Sequence, residues 1–241
     1  MYHHTKGIVL KTIDYTDSGI IVKVYTEAFG LQSYLVNGAR SKRSNVRIGF
    51  FQPLSLVDMV VSRQEKYQLQ KIKEVRTDVP CVSISNDITK SSILFFINEI
   101  VYKSIKQEEA DPVLFNFLRN SILYLELHNE NCANFHLMFL VHLSRYLGFY
   151  PSDNSIPVDA YFNLKDGVFQ DKEPVHDHFL SKAQTRSFTA LMRGSYENLS
   201  QITINNQARR ELLNKLVLFY ELHLNNTQEI TSHRILEEVI S

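Results

Sequence analysis

The period of the hydrophobic pattern changes once along this chain, near Pro80, and that single change limits what the chain can fold into. Before it, apolar residues come in short runs of strand length: Gly7–Leu10, Ile20–Tyr25, Leu31–Val36, Leu54–Val61 and Tyr67–Val75. In the second run Ile20, Val22 and Val24 share one face and Ile21, Lys23 and Tyr25 the other, as in a strand whose two sides differ. Asp17-Ser-Gly19, Phe29-Gly30, a basic loop and Arg63-Gln-Glu-Lys66 supply the turns between runs. Five antiparallel strands in roughly 75 residues predict a small Greek-key barrel of the OB-fold type, whose face and loops commonly bind single strands.

After Pro80 the period is that of helices. Asn86 is the expected cap of a helix bearing Leu94, Ile97, Ile100 and Val101, and Asp111-Pro112 reads as an N-cap followed by proline at the first helical position. That second helix places Val113, Leu114, Phe117, Leu118, Ile122 and Leu125 on its apolar stripe. A third opens at Asn131 or Asn134 and stops at Gly148, and further helices are expected at about 181–193, 206–225 and 232–240. Between them, Tyr161-Phe-Asn-Leu-Lys-Asp-Gly-Val-Phe169 predicts a hairpin around Asp166-Gly167. The predicted fold is therefore α+β. A five-stranded OB-fold barrel spans residues 1–80, and an all-helical domain spans 81–241 with a small β insertion at about 150–180.

The charges of the 241 residues cancel, 26 basic against 26 acidic, but the halves do not. Residues 1–80 hold twelve Lys/Arg and seven Asp/Glu, 12 − 7 = +5, and residues 81–241 hold 14 − 19 = −5. The basic half also contains a gap without acids between Glu27 and Asp58, with Asn37-Gly-Ala-Arg40-Ser-Lys42-Arg43-Ser-Asn-Val-Arg47 at its centre. A cationic loop on a small β domain suits a polyanion, because each cation that neutralises a phosphate releases condensed counterions. Arg40, Lys42, Arg43 and Arg47 are the predicted phosphate contacts. Tyr25, Tyr34, Phe50 and Phe51 are candidates for base stacking, with core packing as the other reading and Tyr34 standing between the two.

Other classes lack their motifs. Asp14, Asp17, Asp58, Asp159, Asp166 and nine histidines offer acids and bases to a hydrolase or nuclease, but there is no phosphate-cradling Gly-rich loop, His-Glu-x-x-His or Gly-x-Ser-x-Gly. Two widely separated cysteines, Cys81 and Cys132, support neither a disulfide framework nor a thiolate metal cage. With no apolar signal-peptide core and no long apolar run, the expectation is a soluble cytoplasmic protein without membrane contact.

Five segments taken in order carry a resemblance: Lys6-Gly-Ile-Val-Leu10, Val36-Asn-Gly-Ala-Arg-Ser-Lys-Arg-Ser44, Phe51-Gln-Pro-Leu54, Leu147-Gly-Phe-Tyr-Pro151 and Ser232-His-Arg-Ile-Leu236. Together they resemble the bacterial recombination mediator family RecO across both predicted domains. The resemblance implies a protein without catalytic activity or cofactor that binds single- and double-stranded DNA and anneals complementary strands. It further implies partnership with RecR, contact with the acidic C-terminal tail of single-strand-binding protein, and a functional link to the recombinase RecA. Many members carry a four-cysteine zinc site after the Gly-Phe-Tyr-Pro-like turn. Residues 152–180 here contain no cysteine, so no such site can form, leaving only His176 and His178 with Asp171 and Asp177 as conceivable ligands. The alternative to a mediator is an adaptor whose helical half docks an acidic tail, with the basic loop incidental.

Overall fold

The structure, a computed structural model, describes residues 1–41, 46–64, 66–106, 108–128, 132–152, 156–224 and 229–240. It opens with the barrel. Strand β1 (Tyr2–Asp14) is long enough to serve two neighbours. Its first half pairs antiparallel with β4 (Leu56–Ser62), from Tyr2↔Ser62 to Ile8↔Leu56, and its second half with β2 (Ile20–Thr26), ending at Asp14↔Ile20. A register shift between Val9 and Lys11 bends the strand between these partners. Gly7 sits where both pairings overlap, and a Cβ there would fall 2.5 Å from Val24 Cγ1 and 2.8 Å from Met59 Cε.

Strand β3 (Gly30–Val36) pairs antiparallel with β2, and β5 (Leu69–Val79) pairs antiparallel with β4. The barrel closes through a short parallel register, Ser33↔Leu69, Tyr34↔Gln70 and Leu35↔Lys71, in the order β1-β2-β3-β5-β4. Closure leaves no open sheet edge. The period-two faces read from the sequence meet inside: Val9, Val22, Val24, Val57, Met59 and Val61 form one buried cluster with Tyr34 and Phe51.

Helices follow: α1 (Val82–Asn86), α2 (Ile88–Ser104) and α3 (Pro112–Leu127). The cap expected of Asn86 is supplied instead by Asp87, whose Oδ1 accepts from the Thr89 and Lys90 backbone N–H at 2.8 and 3.0 Å. Asp111 caps α3 as expected, accepting from Val113 and Leu114. On α3, Val113 is exposed rather than part of the stripe, and Phe115 is buried in its place against Tyr25.

The chain forms two compact units, residues 1–86 with 100–126, and 87–99 with 127–241. The first thus takes residues 100–126 as well as the barrel, beyond the boundary at residue 80 drawn from the period. Specific contacts hold α3 in that unit. Asp78 of β5 accepts from Lys6 at 3.1 Å and from Arg119 at 2.9 Å, and the Glu126 carboxylate caps α1 through the Ser83 and Ile84 N–H. Burial pushes the Asp78 carboxyl up, but its hydrogen bonds to Arg119 and Lys6 outweigh that and hold it below the usual carboxylate range.

In the second unit α4 (Phe135–Tyr146) is buried on nearly every side, with α5 (Lys182–Arg193) and α6 (Asn206–His223) packed against it. Tyr220 of α6 donates to the Leu140 carbonyl at 2.7 Å. The expected hairpin forms as β6 (Tyr161–Asn163) and β7 (Val168–Gln170), with Gly167 at φ 68° in the turn, and β8 (Phe179–Leu180) pairs on the other side of β6. Phe162 of β6 meets Phe169, Phe188 and Phe219, so aromatic packing anchors this sheet. A last helix, α7 (His233–Val239), ends the fold. Among the described residues no helix is long and apolar enough to cross a membrane.

Candidate nucleic-acid interface

The loop expected to hold phosphates leaves β3 through Gly38, at φ 67°. Ala39 and Val46 anchor it in the barrel core, which leaves Arg40 and Arg47 at the surface. Arg40 is engaged by the β1–β2 turn: its guanidinium pairs with the Asp14 carboxylate and donates to the Asp17 carbonyl at 3.3 Å. The Asp14 partner is itself exposed, so this pair is screened and weak. Lys42 and Arg43 lie outside the described residues.

The aromatic candidates are displaced inward. Tyr34 is 1% exposed and belongs to the barrel core, so its ring offers no face to a base; the stacking assignment is corrected to core packing. Burial raises the Tyr34 phenol above its ordinary value, opposed by the nearby Arg63 charge. Tyr25 is covered by Phe115, and burial pushes its phenol up to about 12. Phe51 lies in the core and Phe50 packs partly against it.

What barrel closure brings together instead is a groove on the β2–β3 face. Lys23, Gln32 and Ser33 from the strands meet Arg63, Lys66 and Tyr67 from the β4–β5 loop around a cavity of about 420 Å³, with Glu108 at its rim. Arg63 stacks on Phe29 at 4.7 Å from the ring centroid, and Lys23 and Lys11 lie over the Tyr102 ring at 5.5 and 4.8 Å. Tyr67 is 56% exposed, which makes it the aromatic of this groove able to take a base. The combination is what a sequence-tolerant single-strand site requires: cations for phosphates and a ring for bases. The one available sequence signal was the charged turn Arg63-Gln-Glu-Lys66, at the β4–β5 position where OB-folds commonly bind. Lys23, forty residues earlier, carried no such signal.

In the second unit one cation of α6 is committed. Arg209 of α6 is buried, with Nε donating to Asn134 Oδ1 at 3.0 Å, one terminal nitrogen to Asn206 and the other to the Ile204 carbonyl. It cannot serve as a phosphate contact in that state. His176 and His178 stand ring to ring, the His178 N–H donating to His176 Nδ1 at 3.2 Å. Among the described residues no three His, Cys, Asp or Glu side chains gather to hold a metal.

Comparisons with known proteins bear on both halves of the chain. The family model "Recombination protein O N terminal" matches residues 1–78, and "Recombination protein O C terminal" matches residues 85–229. A protein named DNA repair protein RecO from Azobacteroides pseudotrichonymphae is 36% identical over 239 residues, 99% of either chain. Proteins of the same name from Flavobacterium psychrophilum and Phocaeicola vulgatus are 36% identical over 238 residues, 98% of either chain, and 33% identical over 241 residues, 100% of either chain.

Proposed function

The chain belongs to the RecO family of DNA repair proteins, and from that premise we propose that it is a non-enzymatic recombination mediator that binds single- and double-stranded DNA and anneals complementary strands. In this reading residues 1–80 are the nucleic-acid-binding domain and 81–241 the helical domain. It acts in the cytoplasm with RecR, meets the acidic C-terminal tail of single-strand-binding protein, and assists RecA on coated DNA. The observation that carries the DNA-binding part is the groove in which Lys23, Arg63 and Lys66 surround the exposed Tyr67.

Annealing needs binding that is strong in charge and indifferent to sequence, since two strands must be held close while their base edges stay free to pair. Phosphate contacts and stacking meet that need, and base-edge hydrogen bonds oppose it. The groove cations and the loop residues Arg40, Lys42, Arg43 and Arg47 take the phosphates, and Tyr67 takes the stacking role once assigned to Tyr34. For Arg40, an incoming phosphate exchanges for the screened Asp14 contact, so the cost is small.

The test is an annealing assay with complementary oligonucleotides, alone and coated with single-strand-binding protein. The purified chain should accelerate annealing of both and leave every strand uncut when divalent metal is added. Binding to the coating protein's tail without DNA binding or annealing would favour the adaptor reading. Strand cleavage would refute both.

A further inference from the structure

The basic groove has a neighbour. On the other side of the β4–β5 loop, Ser62, Gln64, Leu69 and Lys71 line a second cavity of about 350 Å³, and Tyr67 and Gln70 belong to both. Tyr67 therefore lines two neighbouring channels on one barrel. Its backbone is fixed: its N–H donates to the Gln64 carbonyl at 3.0 Å, and its own carbonyl accepts from Gln70 Nε2. Gln70, only 6% exposed, also donates to the Gln64 carbonyl at 3.0 Å and accepts from the Gln64 N–H at 2.8 Å. A buried glutamine thus staples the loop, while the ring it carries stays in solvent. An exposed ring on an ordered backbone loses less on stacking than one on a backbone that must first be ordered.

The two channels draw their cations from different elements. The first holds Lys23, Arg63 and Lys66. The second begins at Lys71, and the strand register carries it onward: Ser62 pairs with Lys71 on one side and with Tyr2 on the other. There Lys73 sits 4.8 Å above the ring of Tyr2, itself 62% exposed. Each channel thus offers cations and an aromatic ring, and of the two residues they share, Tyr67 and the buried Gln70, Tyr67 is the aromatic one.

Resting on the DNA-binding reading above, we propose that this barrel recognises a junction between double- and single-stranded DNA, with the last base pair stacked on Tyr67 and the two strands parting into the two channels. One face of a ring can cover a base pair, and two cationic tracks can separate the phosphate chains that leave it.

The experiment measures affinity of the full chain for a fork, a duplex ending in two non-complementary arms, against a single strand of the same total length. The wild-type chain should prefer the fork, and Tyr67→Ala should cancel most of that preference, an effect of roughly tenfold for one lost stacking contact. Lys71→Ala with Lys73→Ala should weaken the fork and leave the single strand unchanged, whereas Lys23→Ala with Lys66→Ala should weaken both. A 2-aminopurine at the last base pair should change fluorescence on binding to wild type and not to Tyr67→Ala. Equal effects of the Lys71/Lys73 pair on fork and single strand, or no wild-type preference for the fork, would overturn the junction proposal while leaving the DNA-binding reading standing. Failure of the wild-type chain to bind either DNA would overturn both.

Discussion

Two buried side chains show how much one residue's surroundings decide. His136 of α4 is fully buried, its ring edge-on to Phe96 and close to Arg209, and neither ring nitrogen has a partner among the described residues. Desolvation first, and the Arg209 charge second, push its pKa down to about 3. Here the folded value lies below the unfolded one. The unfolded chain therefore takes up a proton that the folded chain refuses, and stability is complete above the ordinary histidine range and falls as pH drops from about 6.5 toward about 3. One proton's difference is worth about 1.4 kcal/mol per pH unit, so lowering pH from 7 to 5 should cost roughly 2 kcal/mol through this residue. Denaturant midpoints of wild type and His136→Leu at both pH values check this: the variant should lose that share of the pH dependence. Tyr34 gives the other case. Its alternation with Leu35 on β3 left either face eligible for the core, and the register settles it: Tyr34 stands opposite the buried Val22 of β2 and pairs with Gln70 on β5.

At the scale of elements, local chemistry was legible wherever it is local in cause. The period change put the end of the barrel at Pro80, and β5 ends at Val79. Asp166-Gly167 marked the hairpin, and Asp111-Pro112 marked the start of α3. One miss was local, the α2 cap falling on Asp87 rather than Asn86, and the larger ones came from distant partners. Val113 lies on the solvent side because Phe115 has Tyr25 to pack against, a contact across ninety residues that no helical period contains. The candidate site followed the same rule. A run of cations is visible in one stretch, but Lys23, Arg63 and Lys66 become neighbours only when β3 closes on β5. Helix α6 offers a direct check on local terms: Asn205 accepts from the Ala208 N–H at 2.8 Å, and Asn205→Ala should lower stability by about 1 kcal/mol in a urea titration. The annealing rate should not change, since the cap lies in the unit without the groove.

For the whole molecule, the separation of charge acquires a purpose under the mediator reading. The basic half carries both the groove and the loop, while the acidic half limits indiscriminate attraction to polyanions. The central claim is that phosphates are neutralised by two sets of side chains on the barrel: Lys23, Arg63 and Lys66 in the groove, and Arg40, Lys42, Arg43 and Arg47 in the loop. The most direct measurement is the slope of log affinity against log salt for a labelled oligothymidine, taken for wild type and for alanine variants of each set. Each phosphate contact contributes about 0.7 to that slope on a single strand, so the groove variant should lose about 2 and the loop variant about 3. Circular dichroism establishes that both variants fold, which matters most for Lys23 and Arg63, half-buried against Tyr102 and Phe29. Slopes and affinities equal to wild type in both folded variants would show that DNA binds elsewhere on the protein and would contradict the account.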